Sequence, residues 1–383
     1  MTAAESRKAT LLELWRAAIG AVSGYQAVAN ALQSDSAFQP NQIIAVGKAA
    51  SGMCLGALDN LSPCHALVVT KYDHVDAALR EREGVSILEA AHPTPDQNSL
   101  AAGRAMLELT FTMPADSRLL LLVSGGASAL AEALPAGMTL AALQAKTDEM
   151  IANGSTIAEI NAWRKQNSLI KDGKLIEAFK GAEVRVYAIS DVEGDAIATI
   201  GSGIGDCHRA VVPATFRVVA SNSLARERVV QRAQESGLEV RVNEETLYGD
   251  VFEIAGVIGE TLKNAEPGVY LWGGEPTIRL PENPGEGGRN QSLALAVSEH
   301  LAGMDHVSLL VAGTDGTDGP TDAAGGIVDG DTWRQPAKAK KALQAADAGS
   351  YLRQHDALFV TGPTNTNVMD LAIAIVEPVA PGE

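Results

Sequence analysis

The sequence predicts two α/β domains: a doubly wound, parallel-sheet (Rossmann-like) domain over residues 1–240, then a smaller α/β domain with a mixed sheet over 241–383. Three observations predict it. Six short apolar runs, at 43–46, 66–69, 85–88, 119–123, 184–189 and 216–220, alternate with longer segments that suit helices. Strands buried on both faces of a parallel sheet read in this way. Beyond a seventh run at 238–242 the rhythm changes, and runs at 269–272 and 277–280 lie close together around Gly273 and Gly274, as in a hairpin or neighbouring strands. A chain of 383 residues is also long enough to close two cores.

Taken in order, the first element is a helix. Leu11, Leu12, Trp15, Ile19 and Val22 recur at helical spacing, while Glu13 and Arg16 break any uniform apolar core, so this is an amphipathic surface helix rather than a signal peptide. The first strand ends at Gly47 and Lys48. A lysine at a helix start is disfavoured by the helix dipole, and a bound phosphate would account for it as well as a side chain reaching to water does. His92 to Asp96 reads HPTPD, a stiff connection before a helix beginning near Ser99; His92 there reads as a structural hydrogen bonder. After the fourth strand, Ser124, Gly125, Gly126 and Ser128 form a glycine-and-hydroxyl turn suited to an anion.

Arg164, Lys165, Lys171 and Lys174 place four cations in eleven residues, and a solvated helix face is the plainer reading. Ser190 and Asp191 close the fifth strand. Arg289, with Asn290 and Gln291, follows a glycine-rich loop and precedes a helix from about 293 to 300; its guanidinium suits a carboxylate or phosphate. A strand at 307–312 then runs into a loop carrying Asp315, Asp318 and Asp322, each preceded by a threonine. That loop reads either as a divalent-metal or substrate-hydroxyl site or as a solvated turn. The last well-defined strand, at 358–360, closes in TGPTNTN, residues 361–367.

Bulk properties bound the partners. A formal net charge of -17 opposes general affinity for nucleic acid or an anionic membrane, and no stretch approaches a membrane span. Cys54, Cys64 and Cys207 form no CxxC pair, which favours a reduced, cytoplasmic setting. Neither GxxxxGK[ST], GxSxG nor GxGxxG is present, which weighs against a P-loop, an α/β-hydrolase and a nicotinamide dehydrogenase. A small-molecule ligand remains, and homo-oligomerisation is left open.

Taken together, the turns GKAASGM, HPTPD, LVSGGASAL, RKQNSLIKDGKL, ISDVEGD, GGEPT, GGRNQ, AGTDGTDGPTDAAGG and TGPTNTNVMDL resemble the glycerate 2-kinase family, whose C-terminal half is called the MOFRL domain and whose members are often labelled hydroxypyruvate reductase. The resemblance runs from about residue 45 to 376. It implies ATP-dependent phosphorylation of D-glycerate at its 2-hydroxyl, with Mg2+ or another divalent cation, in a cleft between two α/β domains that closes on binding. On that basis Lys48 and Arg289 are expected to hold glycerate carboxylate or the transferring phosphate, and Asp191 to orient or deprotonate the hydroxyl. Ser124, Gly125, Gly126, Ser128, Arg164, Lys165, Asn290, Thr364 and Asn367 are expected to bind substrate or nucleotide, and Asp315, Asp318 and Asp322 the metal. A kinase for another small hydroxy acid is the nearest alternative, then a hydroxypyruvate reductase. The chain departs from the family pattern at Gln166 (usually histidine), Ala196 (aspartate), Ile204 (proline) and Asn365 (glycine).

Overall fold

The computed structural model describes residues 2–62 and 64–379. Its contacts divide the chain into two units, which change over after Ser221, where the sequence placed the boundary at residue 240. One unit combines Val22–Ser221 with Asn365–Asn367; the other combines Met1–Ala21, Asn222–Thr364 and Val368–Glu383. We call them the parallel-sheet and mixed-sheet units.

The parallel-sheet unit holds six strands: β1 Gln42–Val46, β2 His65–Lys71, β3 Val85–Ala90, β4 Arg118–Val123, β5 Glu183–Ile189 and β6 Ala214–Ala220. Their order is β3-β2-β1-β4-β5-β6, every pair parallel. The apolar runs become strands because both faces are covered; Leu119 to Leu122 are all fully buried. The chain winds outward one way from β1 to β3 and the other way from β4 to β6. The carboxyl ends of β1 and β4 therefore flank the switch point, where sheets of this order leave a crevice for ligands.

The mixed-sheet unit holds β7 Val240–Glu244, β8 Gly249–Asp250, β9 Gly268–Gly274, β10 Pro276–Thr277, β11 Val307–Gly313, β12 Gly325–Asp329, β13 Leu358–Phe359 and β14 Asp370–Val376. Its main sheet has the order β13-β12-β11-β14-β9-β7, antiparallel except for β7 with β9. One sequence expectation fails here. No hairpin forms around Gly273 and Gly274, because β7 and β14 already occupy both edges of β9; β10 is only two residues long and pairs with β8. The aspartate loop is the connection of a β-hairpin, with Val311 opposite Gly326 and Ala312 opposite Gly325.

The first helix, Ala3–Val22, shows why residues 1–21 belong to this second unit. Arg7 donates from Nε to Ser308 Oγ at 2.9 Å and from Nη2 to the Asp305 carbonyl at 2.7 Å, and Trp15 packs edge-on to Phe359 with centroids 5.6 Å apart. Asn222 Nδ2 donates to the carbonyls of Val368 and Asp370, both at 3.0 Å, which ties the helix Asn222–Glu235 to β14. No helix among the described residues is long and apolar enough to cross a membrane.

Candidate active site

In the parallel-sheet unit the turns after β1 and β4 form one structure. Gly47 leaves β1 at φ 129° and donates its N–H to the Val69 carbonyl at 3.1 Å. Any side chain at Gly47 would collide with Ser124, so the position needs glycine for both its backbone angle and its close approach. Lys48 N–H donates to the Gly125 carbonyl at 2.9 Å, Ala49 N–H to Ser124 Oγ at 3.1 Å, and Ser124 N–H to the Val46 carbonyl at 3.0 Å. Asp191, just past β5, lies against the same turn: a side chain on Gly125 would run into its carboxylate. Lys48 stands beside Gly126, and no hydrogen bond or ion pair engages its ammonium among the described residues.

The other expected anion binders of this unit are held by the protein itself. Ser128 Oγ lies 2.8 Å from Ser202 Oγ, and Arg164 donates to the Ser128 carbonyl at 3.0 Å. Lys165 donates to the Ala198 carbonyl at 2.6 Å. Both cations thus shape the turns more directly than they offer charge to a ligand. Lys171, fully buried, pairs with the fully buried Glu132, and burial pulls its pKa down to about 8 against that carboxylate. The run of cations was read as a solvated face; Lys171 corrects that, because a buried ammonium is tolerable only when paired. Asn365 has φ 58°, a left-handed angle that asparagine adopts more readily than most residues and glycine freely, which explains how it can replace the family glycine.

In the mixed-sheet unit Arg289 opens the helix Arg289–Leu301. Its Nε donates to Asp370 Oδ2 at 2.7 Å, Nη2 to Asp370 Oδ1 at 3.3 Å and Nη1 to Glu275 Oε1 at 2.7 Å. Three of the five guanidinium N–H donors are used, so two remain for a ligand. Burial works against the arginine's charge, but the two carboxylates outweigh it and raise its pKa. Burial pushes Asp370 up to about 6 despite Arg289.

Asp318, expected among the metal ligands, caps the start of this helix. Its Oδ1 accepts Asn290 N–H at 3.0 Å, and its Oδ2 accepts Gln291 N–H at 2.8 Å and Gln291 Nε2 at 3.0 Å. It is 3% exposed, and burial raises its pKa against those bonds. Asp315 Oδ1 accepts from Thr317 N and Oγ1, both at 3.0 Å, while Asp322 is exposed. Among the described residues no group of three or more His, Cys, Asp or Glu side chains could hold a metal ion. The loop turns Asp318 inward beneath a helix end, where N–H donors fill its carboxylate. Replacing Asp318 by alanine is expected to lower unfolding stability by about 1–2 kcal/mol, the cost of a lost cap, in urea titration.

Asn290, at 1% exposure, is buried beside Asp370 rather than open to a ligand. Thr364 donates from Oγ1 to the Thr314 carbonyl at 2.5 Å, joining the loop before β14 to the aspartate loop. Asn367 is half-buried in the short segment that belongs to the parallel-sheet unit. Lys48, Ser124, Gly125, Gly126 and Asp191 are thus brought together in the parallel-sheet unit, and in the mixed-sheet unit Arg289 is held in a carboxylate clamp. Two members of the site were missed in the sequence: Asp370, inside the apolar β14, and Glu275. Their signal was a carboxylate within GGEPT and another at the end of TNTNVMD, each adjoining an otherwise apolar or glycine-rich segment.

The fold and these turns define a class: a two-unit α/β protein that presents an unpaired cation, a carboxylate and a glycine-hydroxyl turn at the ends of parallel strands. Residues 10–234 match the family described as "Domain of unknown function (DUF4147)", and residues 268–370 match the MOFRL family. The chain is 33% identical to the D-glycerate 2-kinase of Thermotoga maritima, over 97% of this chain and 99% of that one. It is 33% identical to the glycerate 2-kinase of Pyrococcus horikoshii, over 87% of each. The crystal structure of glycerate kinase from Thermotoga maritima superposes with a TM-score of 0.89 at 31% identity, covering 97% of this chain and 100% of that one. The chain belongs to the glycerate 2-kinase family.

Proposed function

We propose that this protein is an ATP-dependent kinase that phosphorylates D-glycerate at the 2-hydroxyl, giving 2-phosphoglycerate. The observation that carries the reading is the partner-free ammonium of Lys48 beside the Ser124–Gly126 turn and the Asp191 carboxylate, in a chain similar to proteins named glycerate 2-kinase. Phosphoryl transfer asks the protein to position reactants and to neutralise negative charge. Lys48 supplies an unspent positive charge to the anions, and the two remaining donors of Arg289 supply a planar one. Asp191 orients the attacking hydroxyl and accepts its proton. Ser124 and the glycines leave backbone room for an anion to approach.

A divalent cation would add positive charge at the phosphates. Of the three aspartates expected to hold it, Asp318 does not fit, since helix N–H groups fill its carboxylate. A magnesium ion bound chiefly through nucleotide phosphates needs only one or two protein carboxylates. Three reduced cysteines and a small polar substrate fit a cytoplasmic enzyme.

The test is incubation of the purified chain with D-glycerate, ATP and magnesium, with enolase added in one arm. Product that enolase consumes is the expected result and establishes the 2-position. Product that enolase leaves untouched moves the transfer to another hydroxyl. ADP formed only with a different hydroxy acid replaces D-glycerate as substrate.

A further inference from the structure

The carboxyl ends of β1, β2 and β3 carry three basic side chains, with Lys48 and Lys71 level with each other and His92 two residues further along. Lys48 is two residues beyond Val46, and Lys71 is two beyond Val69, the register partner of Val46. His92 in turn is two residues beyond Ala90, the register partner of Lys71. A side chain on Gly126 would lie 3.0 Å from His92 Cδ2, 3.2 Å from its Nε2 and 3.1 Å from Lys48 Cγ, so the imidazole and the lysine stem face the same glycine. Among the described residues, no hydrogen bond or ion pair engages the Lys48 ammonium, the Lys71 ammonium or the His92 ring.

Of the nearby acids, Asp191 lies against Gly125, while Glu89 and Asp96 are committed elsewhere. Glu89 accepts from Arg80 at 2.8 Å and from the Asp73 N–H at 2.9 Å, and Asp96 accepts from the Tyr72 hydroxyl at 2.6 Å and from Ser99. His74, the fourth basic group here, has Nδ1 at 2.9 Å from the Tyr72 carbonyl. In a chain of net charge -17, lysines gathered at strand ends with no ion pair among the described residues mark a place for an anion.

From this placement we propose that Lys48, Lys71 and His92 form one oxyanion subsite, which takes the carboxylate or a terminal phosphate of a bound substrate. The identity of these anions rests on the kinase reading above. Burial, then Lys48, Lys71 and His74, pull His92 down to about 4, so its ring is neutral at pH 7. A neutral imidazole donates one N–H to an oxyanion and adds no charge, while the lysines supply the charge.

The test is calorimetric titration of the full chain, wild type, Lys71→Met and His92→Gln, with D-glycerate and separately with ATP. A loss of about ten- to a hundredfold in affinity for D-glycerate alone assigns the carboxylate as occupant; the same loss for ATP alone assigns the phosphate. His92→Gln changes no charge at pH 7, so its loss is not a long-range effect. Unchanged affinity for both ligands in both variants overturns the subsite. If the wild type binds neither, the kinase reading fails first, and inorganic pyrophosphate then carries the test. Pyrophosphate binding by wild type that disappears in Lys71→Met supports the subsite, and no binding by wild type overturns it.

Discussion

Replacing Lys48 by alanine is expected to lower kcat by about a hundredfold or more while the unfolding midpoint stays at its wild-type value. The size follows from removing one donor of charge to a developing oxyanion, which costs about 10²–10³ in rate in enzymes of this logic. Stability is spared because the ammonium has no partner among the described residues, so its loss strands no opposite charge. The backbone bonds of the turn, from Lys48 N–H to Gly125 and from Ala49 N–H to Ser124, do not depend on the side chain. Steady-state kinetics beside a urea melt decide it. A near-normal kcat in a folded variant would remove Lys48 from the chemistry.

Arg289→Ala is expected to behave differently, losing turnover and about 3–5 kcal/mol of stability together. Removing one member of a buried ion pair leaves the other desolvated and unpaired. Here the stranded group is Asp370, which is 2% exposed and holds Arg289 through two hydrogen bonds. The pH dependence has a definite sign. Burial raises the folded-state pKa of Asp370 above its unfolded value, so protonation favours the folded state, and that contribution is lost as pH rises through about 6. Without Arg289 the carboxyl is raised further. The stability deficit of Arg289→Ala should therefore narrow as the pH falls towards 6 and level off below it, where Asp370 is protonated in both proteins, and Arg289→Ala with Asp370→Asn should recover part of it at pH 7. A single variant as stable as wild type at pH 7 would show that Asp370 does not depend on the pair.

The two lysine and arginine variants differ for a reason no motif contains. Both residues follow glycine-rich turns and both suit an anion, so in sequence they read alike. One is left unpaired beside Gly126, and the other is clamped by carboxylates 81 and 14 residues away. Similarly, Asp315, Asp318 and Asp322 look equivalent, yet only Asp318 is turned beneath the helix that starts at Arg289.

By itself the sequence determined the parallel sheet and the places where chemistry gathers. Strands covered on both faces must be continuously apolar, and turns that approach another backbone closely must carry glycine, so both leave local marks. β12 left none: its residues GGIVD have weak strand propensity, and they become a strand only by pairing with β11. The first helix gave no sign of its unit either, because Arg7 meets Ser308 across 301 residues of chain. Tertiary structure alone decided which charges are spent and which are free, since ion pairing and desolvation depend on distance in space, and residues adjacent in the fold are separated in the chain by tens to hundreds of positions.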